Sequence, residues 1–548
     1  MDYNERPLAR LLERALLRGM MPPMRKPVTH RDYLRIGLLA LLMGIVMAGA
    51  VQHPGYTDAY YYFNAAKRLA SGQGLTDEAL FTYLGLPASG TATPLPVPSH
   101  LYWMPLTSLI AALPMLITPT LDAVQVAFVP LYVALVLVAA WLGGRLATTT
   151  DNAAISPRHA AWLAGVAMIF SGFFVPFWVT SDNFTIYGVV GAMALILMGR
   201  GRATGNLSAF VLSGGCIALA HLARNDGLLL LPVLIVVALW PGADGKGGQR
   251  ARGAGGALVA YLLVMSPWFA RNLSVAGAVL PIGGLQTAWM REYNDLFNYP
   301  AVIELPKFLA WGLPNILNSR WQALLTNTQT LIAVEGMVVL TPFMLIALWQ
   351  RRNDPLLTGF WLYALGLHAV MTVLFPFPGT RGGLFHSAAA LMPFWTALGV
   401  VGLLESIAWA AKRRRWAVNQ AQVVFSGALV IWLVAFSAYM LVTRASAWNG
   451  AGSYYEDFPV EVTETIMIND PAGYHYFTGG RAVVLPNALP DTLLTLFNRF
   501  GVSHLVLDEN VPTPLVDLWQ RQNVPIFLEH HRKDGRFRIY KNSFENFE

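Results

Sequence analysis

Apolar runs such as IGLLALLMGIVMAGAV from Ile36 and VVFSGALVIWLVAFSAYMLV from Val423 recur along the chain. Several reach the roughly 20 residues that a helix needs to cross about 30 Å of hydrocarbon. No water-soluble core needs so many long apolar segments, and 55% hydrophobic against 13% charged residues agrees with that. The pattern predicts a polytopic α-helical membrane protein in the cytoplasmic membrane.

Charge then fixes orientation. The net charge of +7 reports lysine and arginine held on the cytoplasmic side, which makes nucleic acid a poor partner. Basic residues cluster at 6–35, at Arg145 and Arg158, at Arg200 and Arg202, at 246–252, at 351–352 and at 412–415. Spans at 34–52, 121–143, 159–180, 184–199, 207–223, 227–240, 256–273, 327–349, 356–376, 386–410 and 420–443 place every cluster in the cytoplasm, about eleven crossings. The run YWMPLTSLIAALPMLIT from Tyr102 is short, holds Pro105 and Pro114, and would invert every later loop if it crossed. It is expected to be re-entrant or interfacial and to wall a cavity.

The resulting organisation has a cytoplasmic amphipathic N-terminus (1–32) and a transmembrane domain (33–443) with outer loops at 53–120 and 274–326. An extracytoplasmic α/β domain (452–548) follows, read from short apolar runs alternating with helical patterns. Arg6, Arg10, Arg14 and Arg18 beside leucines suggest a helix lying on the membrane surface. The stretch GADGKGGQRARGAGG from Gly242 reads as a flexible cytoplasmic linker. The single cysteine, Cys216, permits neither an intrachain disulfide nor a thiolate metal cluster.

Four outer segments carry candidate chemistry. Asp58 precedes Tyr60 and Tyr61, candidate substrate contacts, just outside the first span; it is either a helix cap or a carboxylate, partly desolvated by aromatic rings, that serves as general base. Asp182 occupies a tight outer turn, where turn chemistry alone accounts for it. Facing the same compartment as Asp58, it could join that residue on a divalent cation, Mg or Mn. In HLARNDG from His221, Arg224 and Asp226 interrupt membrane sequence, as a capping ion pair or as substrate contacts. Arg381 lies between glycines in FPFPGTRGGLFHS, where a guanidinium can hold a phosphate through two parallel hydrogen bonds. His386, five residues on, reads first as a helix-start or packing histidine and second as a substrate contact. Absence of P-loop, GxSxG, HExxH and CxxC patterns removes support from ATP-driven transport, serine hydrolysis and zinc peptidase chemistry.

In order and sidedness these segments resemble the GT-C superfamily of integral-membrane glycosyltransferases, which includes the protein mannosyltransferases and the lipid A aminoarabinose transferase. DAYYYFNAAKRLASGQG is similar to the family's first-loop signature, YWMPLTSLIAA to its proline-containing juxtamembrane segment, LARNDGLLLL to its Arg-x-acid-Gly hairpin, and SPWFARNLSVAGAVLP to its later PW..RN segment. The resemblance implies transfer of a sugar from a polyprenyl-phosphate donor to a lipid, glycan or protein acceptor. It implies that Asp58 is the catalytic acid of the first loop and that Arg381, with Arg224, contacts the donor phosphate. The chain departs from the family at Ala59, where mannosyltransferases often have Glu, and at His100, a candidate substrate contact where the aminoarabinose transferase has an acidic partner. Direct displacement at the anomeric carbon would invert its configuration. A transporter or lipid flippase, or a non-catalytic membrane assembly protein, would share the many spans, but the charges sit at span ends and no sequence repeat is apparent.

Overall fold

The computed structural model describes residues 26–85, 93–150, 154–241, 245–280, 286–455, 463–534 and 536–543. The arginine-bearing N-terminal segment before residue 26 lies outside the described residues.

Among the described residues, seven helices are long and apolar enough to cross a membrane. They are α1 (His30–Ala50), α4 (Leu121–Thr148), α6 (Phe184–Thr204), α9 (Gly247–Ala276), α12 (Pro355–Val373), α13 (Met392–Arg414) and α14 (Val418–Asn449). An eighth candidate is bent by 66°: α5 (Pro157–Ile169) followed by a 3₁₀ segment at Gly172–Trp178. Local sequence sets these limits. Thr29 and Asp32 cap α1 reciprocally, prolines open α5 and α12, and Gly205 and Gly277 close α6 and α9 with positive φ.

Helix α7 (Leu207–Ala223) has the expected bounds and is a shorter apolar helix of 17 residues. Two expected spans take other forms, the first being α8 (Leu230–Leu239), which has ten residues. The expected span 327–349 is broken: α10 (Leu313–Gln329) runs on through a π-turn to Glu335, and α11 (Thr341–Gln350) follows. Between them Met337 and Val338 take φ of 47° and 67°, which a β-branched valine tolerates only under tertiary constraint. The segment from Tyr102 contributes a ten-residue helix, α3 (Leu106–Met115), about 15 Å long and half the hydrocarbon thickness.

The glycine-rich stretch expected to be a flexible linker is helical instead from Gly247 onward, the first turns of α9. Two of its glycines, Gly253 and Gly256, serve packing against α7, while Gly247, Gly248 and Gly255 face open space. A Cβ on Gly253 would fall 2.3 Å from the Phe210 ring, and one on the facing Gly214 would fall 2.1 Å from the Ala257 carbonyl. Bare backbone at both positions lets α7 and α9 approach closely.

The α/β part is a six-stranded sheet whose strands lie in the spatial order Ala79–Leu80 (β2), Arg481–Val484 (β5), Thr465–Ile468 (β4), Val502–Leu507 (β6), Phe537–Asn542 (β8) and Leu528–Asp534 (β7). Strands β4 (Thr465–Ile468), β5 (Arg481–Val484) and β6 (Val502–Leu507) are parallel. They are joined through α15 (Pro471–Thr478) and α16 (Asp491–Phe500), and β8 (Phe537–Asn542) and β7 (Leu528–Asp534) finish the sheet antiparallel. Met467, Val483, Leu493, Phe497 and Leu505 fill the core on one face.

The remaining strand, β2 (Ala79–Leu80), belongs to the first loop and pairs in parallel with β5. Just before it, β1 (Thr76–Asp77) pairs with β3 (Val97–Pro98) of the same loop. The helix that carries Asp58, α2 (Thr57–Ala70), packs on α15, and Asn64 Nδ2 donates to the Ala472 carbonyl at 2.9 Å. Segments far apart in sequence therefore fix the first loop from both sides.

Candidate active site

Helix α2 starts from a constrained corner. Gly55 has φ of +100°, and a Cβ there would sit 2.2 Å from the Trp448 ring, so only glycine turns the chain at this point. Tyr56 is the N-cap and makes no side-chain capping bond. Asp58 lies within the first turn and lines the cavity beside it. Capping therefore does not account for this carboxylate.

Asp182 is fully buried in the turn before α6. Tyr56 donates its hydroxyl to Asp182 Oδ2 at 2.6 Å, and the Asn183 amide donates to Oδ1 at 2.6 Å. His386 Nε2 stands 2.9 Å from the same Oδ2 and 3.8 Å from Asp58 Oδ2. Its Nδ1 lies 2.8 Å from the Gly382 carbonyl and its ring stacks on Phe184 at 4.1 Å. A carbonyl only accepts, so Nδ1 carries a proton. Nε2 then either carries a second proton between two carboxylates or offers a lone pair.

The two acids respond oppositely to this setting. Burial and the charge of Asp182 push Asp58 up to about 6, even though Trp103 donates to it. Burial also works against charge at Asp182, but His386, Tyr56 and the Asn183 amide hold it below the usual carboxylate range. Asp58, Asp182 and His386 offer three ligand atoms within 4.8 Å of one another.

Arg224 extends from the end of α7. Its Nε donates to Asp226 Oδ1 at 3.0 Å, Nη2 reaches Asp226 Oδ2 at 3.4 Å, and Nη1 reaches Asn183 Oδ1 at 3.4 Å. Asp226 also accepts from the Ser387 hydroxyl. The ion pair considered from the sequence is thus formed, and both residues line the cavity. Burial disfavours the charged guanidinium, but Asp226 more than compensates and keeps it protonated. Arg381 sits in the kinked segment Gly379–Gly383, where Gly382 takes φ of 117°. Its guanidinium lies 5.2 Å over the Tyr293 ring, a cation–π contact, and it pairs with no carboxylate among the described residues.

Asp58, His386, Arg224, Asp226 and Arg381 line one cavity of about 310 Å³, with Asp182 directly behind His386. Phe81, Tyr102, Trp103 and Tyr293 form its aromatic wall, and sequence reasoning singled out none of the four as contacts. Three residues named as substrate contacts do not line it. Tyr60 packs on Tyr476 and Phe477 of α15. Tyr61 stacks against Trp103 at 4.2 Å and accepts the His100 amide at 2.7 Å. His100 is fully buried between Ser99 and Ser108, and burial pushes it down to about 3, so it is a neutral packing group. Helical spacing explains the difference: Asp58 and Tyr62, four apart, share the cavity face of α2, while Tyr60 and Tyr61 point elsewhere.

No protein-family model matches the chain, and no curated protein matches it by sequence. Solved structures do. ArnT from Cupriavidus metallidurans bound to undecaprenyl phosphate aligns with a TM-score of 0.56 at 12% identity, covering 92% of this chain and 97% of that one. The archaeal oligosaccharyltransferase AglB from Archaeoglobus fulgidus, in complex with an inhibitory peptide and a dolichol-phosphate, aligns with a TM-score of 0.53 at 12% identity, covering 93% and 74%. Both are GT-C glycosyltransferases. The chain has the fold of these membrane enzymes, in agreement with the order of its motifs.

Proposed function

We propose that this protein is a membrane glycosyltransferase that moves a sugar from a polyprenyl-phosphate donor to an acceptor on the outer face of the cytoplasmic membrane. The observation that carries the reading is convergence: an acid with a raised pKa, a buried acid–histidine pair and two arginines meet in one aromatic-walled cavity, on a fold whose solved neighbours hold polyprenyl phosphates.

In the mechanism, Arg381 and the Nη1 edge of Arg224 hold the donor phosphate, and Trp103, Tyr102 and Phe81 offer flat apolar surface to the sugar ring. Asp58 takes the proton of the acceptor hydroxyl as the acceptor oxygen bonds to the anomeric carbon. The bond from that carbon to the phosphate oxygen breaks on the opposite face, and the lipid phosphate leaves with the electron pair, so the configuration inverts. An acid titrating near 6 is mostly ionised at neutral pH and is a stronger base than an ordinary carboxylate. Asp182 and Tyr56 fix the orientation of His386, which balances charge beside the leaving group.

The donor set Asp58, Asp182 and His386 also fits a divalent cation: two carboxylates and an imidazole whose Nδ1 is tied to a carbonyl leave Nε2 directed at the acids. With a nitrogen ligand present, Mn suits the set better than Mg. When bound, such an ion would supply positive charge for the leaving phosphate. The cavity and the C-terminal α/β part would then lie on the extracytoplasmic side.

The test is transfer from a panel of polyprenyl-phosphate sugars by the purified chain and by Asp58→Asn. The variant is expected to express, to melt no lower than wild type and to transfer nothing; turnover at the wild-type rate would remove Asp58 from the chemistry.

A further inference from the structure

A second cavity, of about 1230 Å³, lies between α10, α11 and α12. It is separate from the catalytic cavity. Ala364, His368 and Thr372 of α12 line it, whereas Val370 and Met371 of the same helix face the catalytic side. The break after Glu335 shapes its floor, where Trp395 Nε1 donates to Glu335 Oε2 at 2.6 Å and His368 Nε2 lies 3.0 Å from Oε1. Leu317, Trp321, Leu345, Trp349 and Leu365 form walls that remain largely exposed, as expected of a groove open to lipid.

Arg352 and Asn353 line the groove near the start of α12, where Arg352 lies over Trp349, and two polar features stand out toward the other end of its apolar walls. Arg320 sits where α12 ends: its Nε donates to the Val373 carbonyl at 3.1 Å, its guanidinium lies 5.0 Å from the Phe308 ring, and no carboxylate among the described residues pairs with it. About 10 Å further along α10, two helical turns on, Asn327 is 2% exposed. One of its amide atoms bonds the Thr372 hydroxyl at 2.9 Å, and the other is buried without a partner. Because a hydroxyl can donate or accept, the Asn327 amide can present either its N–H or its carbonyl to the groove. An unpaired amide in hydrocarbon surroundings costs free energy that a ligand's polar atom would recover.

We propose that this groove binds one anionic glycerophospholipid, distinct from the sugar donor, with its phosphate on Arg320. The ester and glycerol region meets the Asn327 amide, and the acyl chains run past Trp361, Leu345 and Trp349. A polyprenyl phosphate fits less well, since an isoprenoid tail carries no polar atom at the depth of Asn327. The proposal does not depend on the glycosyl-transfer reading.

The test is native mass spectrometry of the full chain released from detergent after incubation with phosphatidylglycerol or phosphatidylcholine of matched acyl chains. One phosphatidylglycerol should be retained with at least about tenfold preference, the worth of one charge-assisted contact. Arg320→Ala should bring the preference to within about twofold of unity. Ala369→Trp, which fills the groove from an exposed position, should abolish retention without shifting the melting temperature. Equal retention of the two lipids, retention unchanged in Arg320→Ala, or displacement of the bound lipid by one equivalent of undecaprenyl phosphate would overturn the proposal, the last by making the groove the donor's tail site.

Discussion

Replacing Asp58 by asparagine should stabilise the protein while ending its chemistry. In the folded state Asp58 titrates at about 6, against an ordinary value of 3.8. A folded pKa above the unfolded one means that the native state binds the proton more tightly. The native state is therefore not penalised below pH 3.8, loses stability as the pH rises through about 6, and carries the full cost above that. The gap corresponds to roughly 3 kcal/mol; with the side chain 29% exposed, solvent screening reduces this to about 1–2 kcal/mol. Asparagine keeps an acceptor for Trp103 and removes the charge facing Asp182. Asp182 has the opposite sign. Its pKa lies below the usual range, so its charged form stabilises the native state above pH 3.8, and Asp182→Asn should destabilise at neutral pH. The assay is thermal unfolding of both variants and the wild type in one detergent across pH 4.5–8. Asp58→Asn should melt above wild type at pH 7.5, with the gain shrinking below pH 6, while Asp182→Asn melts below wild type at pH 7.5. If Asp58→Asn melts no higher than wild type at pH 7.5, or its advantage does not change with pH, the desolvated, repelled carboxylate described here is wrong.

Arg381→Ala should weaken donor binding about 10- to 100-fold, the range for a lost charge-assisted hydrogen bond, with KM rising more than kcat falls; an unchanged donor affinity would remove the phosphate role. If the Asp58, Asp182 and His386 set holds a cation, chelation should lower activity and added Mn should restore it, and His386→Ala should require more Mn for half-restoration. Activity unaffected by exhaustive chelation would assign His386 to charge balance alone. On a Cys216→Ala background, Ser453→Cys should react with impermeant thiol reagents from outside and Gln420→Cys only from the cytoplasm, and the reverse pattern would overturn the orientation.

Much of the architecture could be read from one residue pattern, because the bilayer demands continuous apolar helix and tolerates lysine and arginine mainly on one side. What could not be read is where a helix breaks. The kink at 336–340 has no proline; it is a backbone distortion stabilised by Glu335 with Trp395 and His368, contacts 60 and 33 residues away in sequence. Gly253 and Gly256 illustrate the converse. Composition alone cannot separate a glycine that frees the chain from one that admits a neighbouring helix, and here Phe210 and Gly214 on α7 decide. In the site, Asp58, Asp182, Arg224, Asp226 and Arg381 were legible because polar groups at membrane depth are rare. His386 was underread, since nothing in sequence places it against two acids contributed by other segments. Tyr60 and Tyr61 were overread, since proximity to Asp58 in sequence is not a shared helix face.

The sheet explains why the acid can be held so closely. A short helix such as α2, with only 14 residues, is marginal by itself, and a first loop carrying an acid on it would be free to move. Here the loop is held at three places: Tyr56 on Asp182 at the start of the helix, Asn64 on the Ala472 carbonyl in its middle, and β2 paired with β5 beyond its end. Arg68 and Glu78 close the loop on itself at 2.6 Å. Each contact fixes backbone near Asp58 from a part of the chain distant in sequence, so the position of Asp58 depends on both the bundle and the sheet. For the general base proposed above, that arrangement would favour placement of a reacting oxygen within the few tenths of an ångström that displacement chemistry needs, and the α/β part would support catalysis by holding α2, with none of its own described side chains lining the cavity.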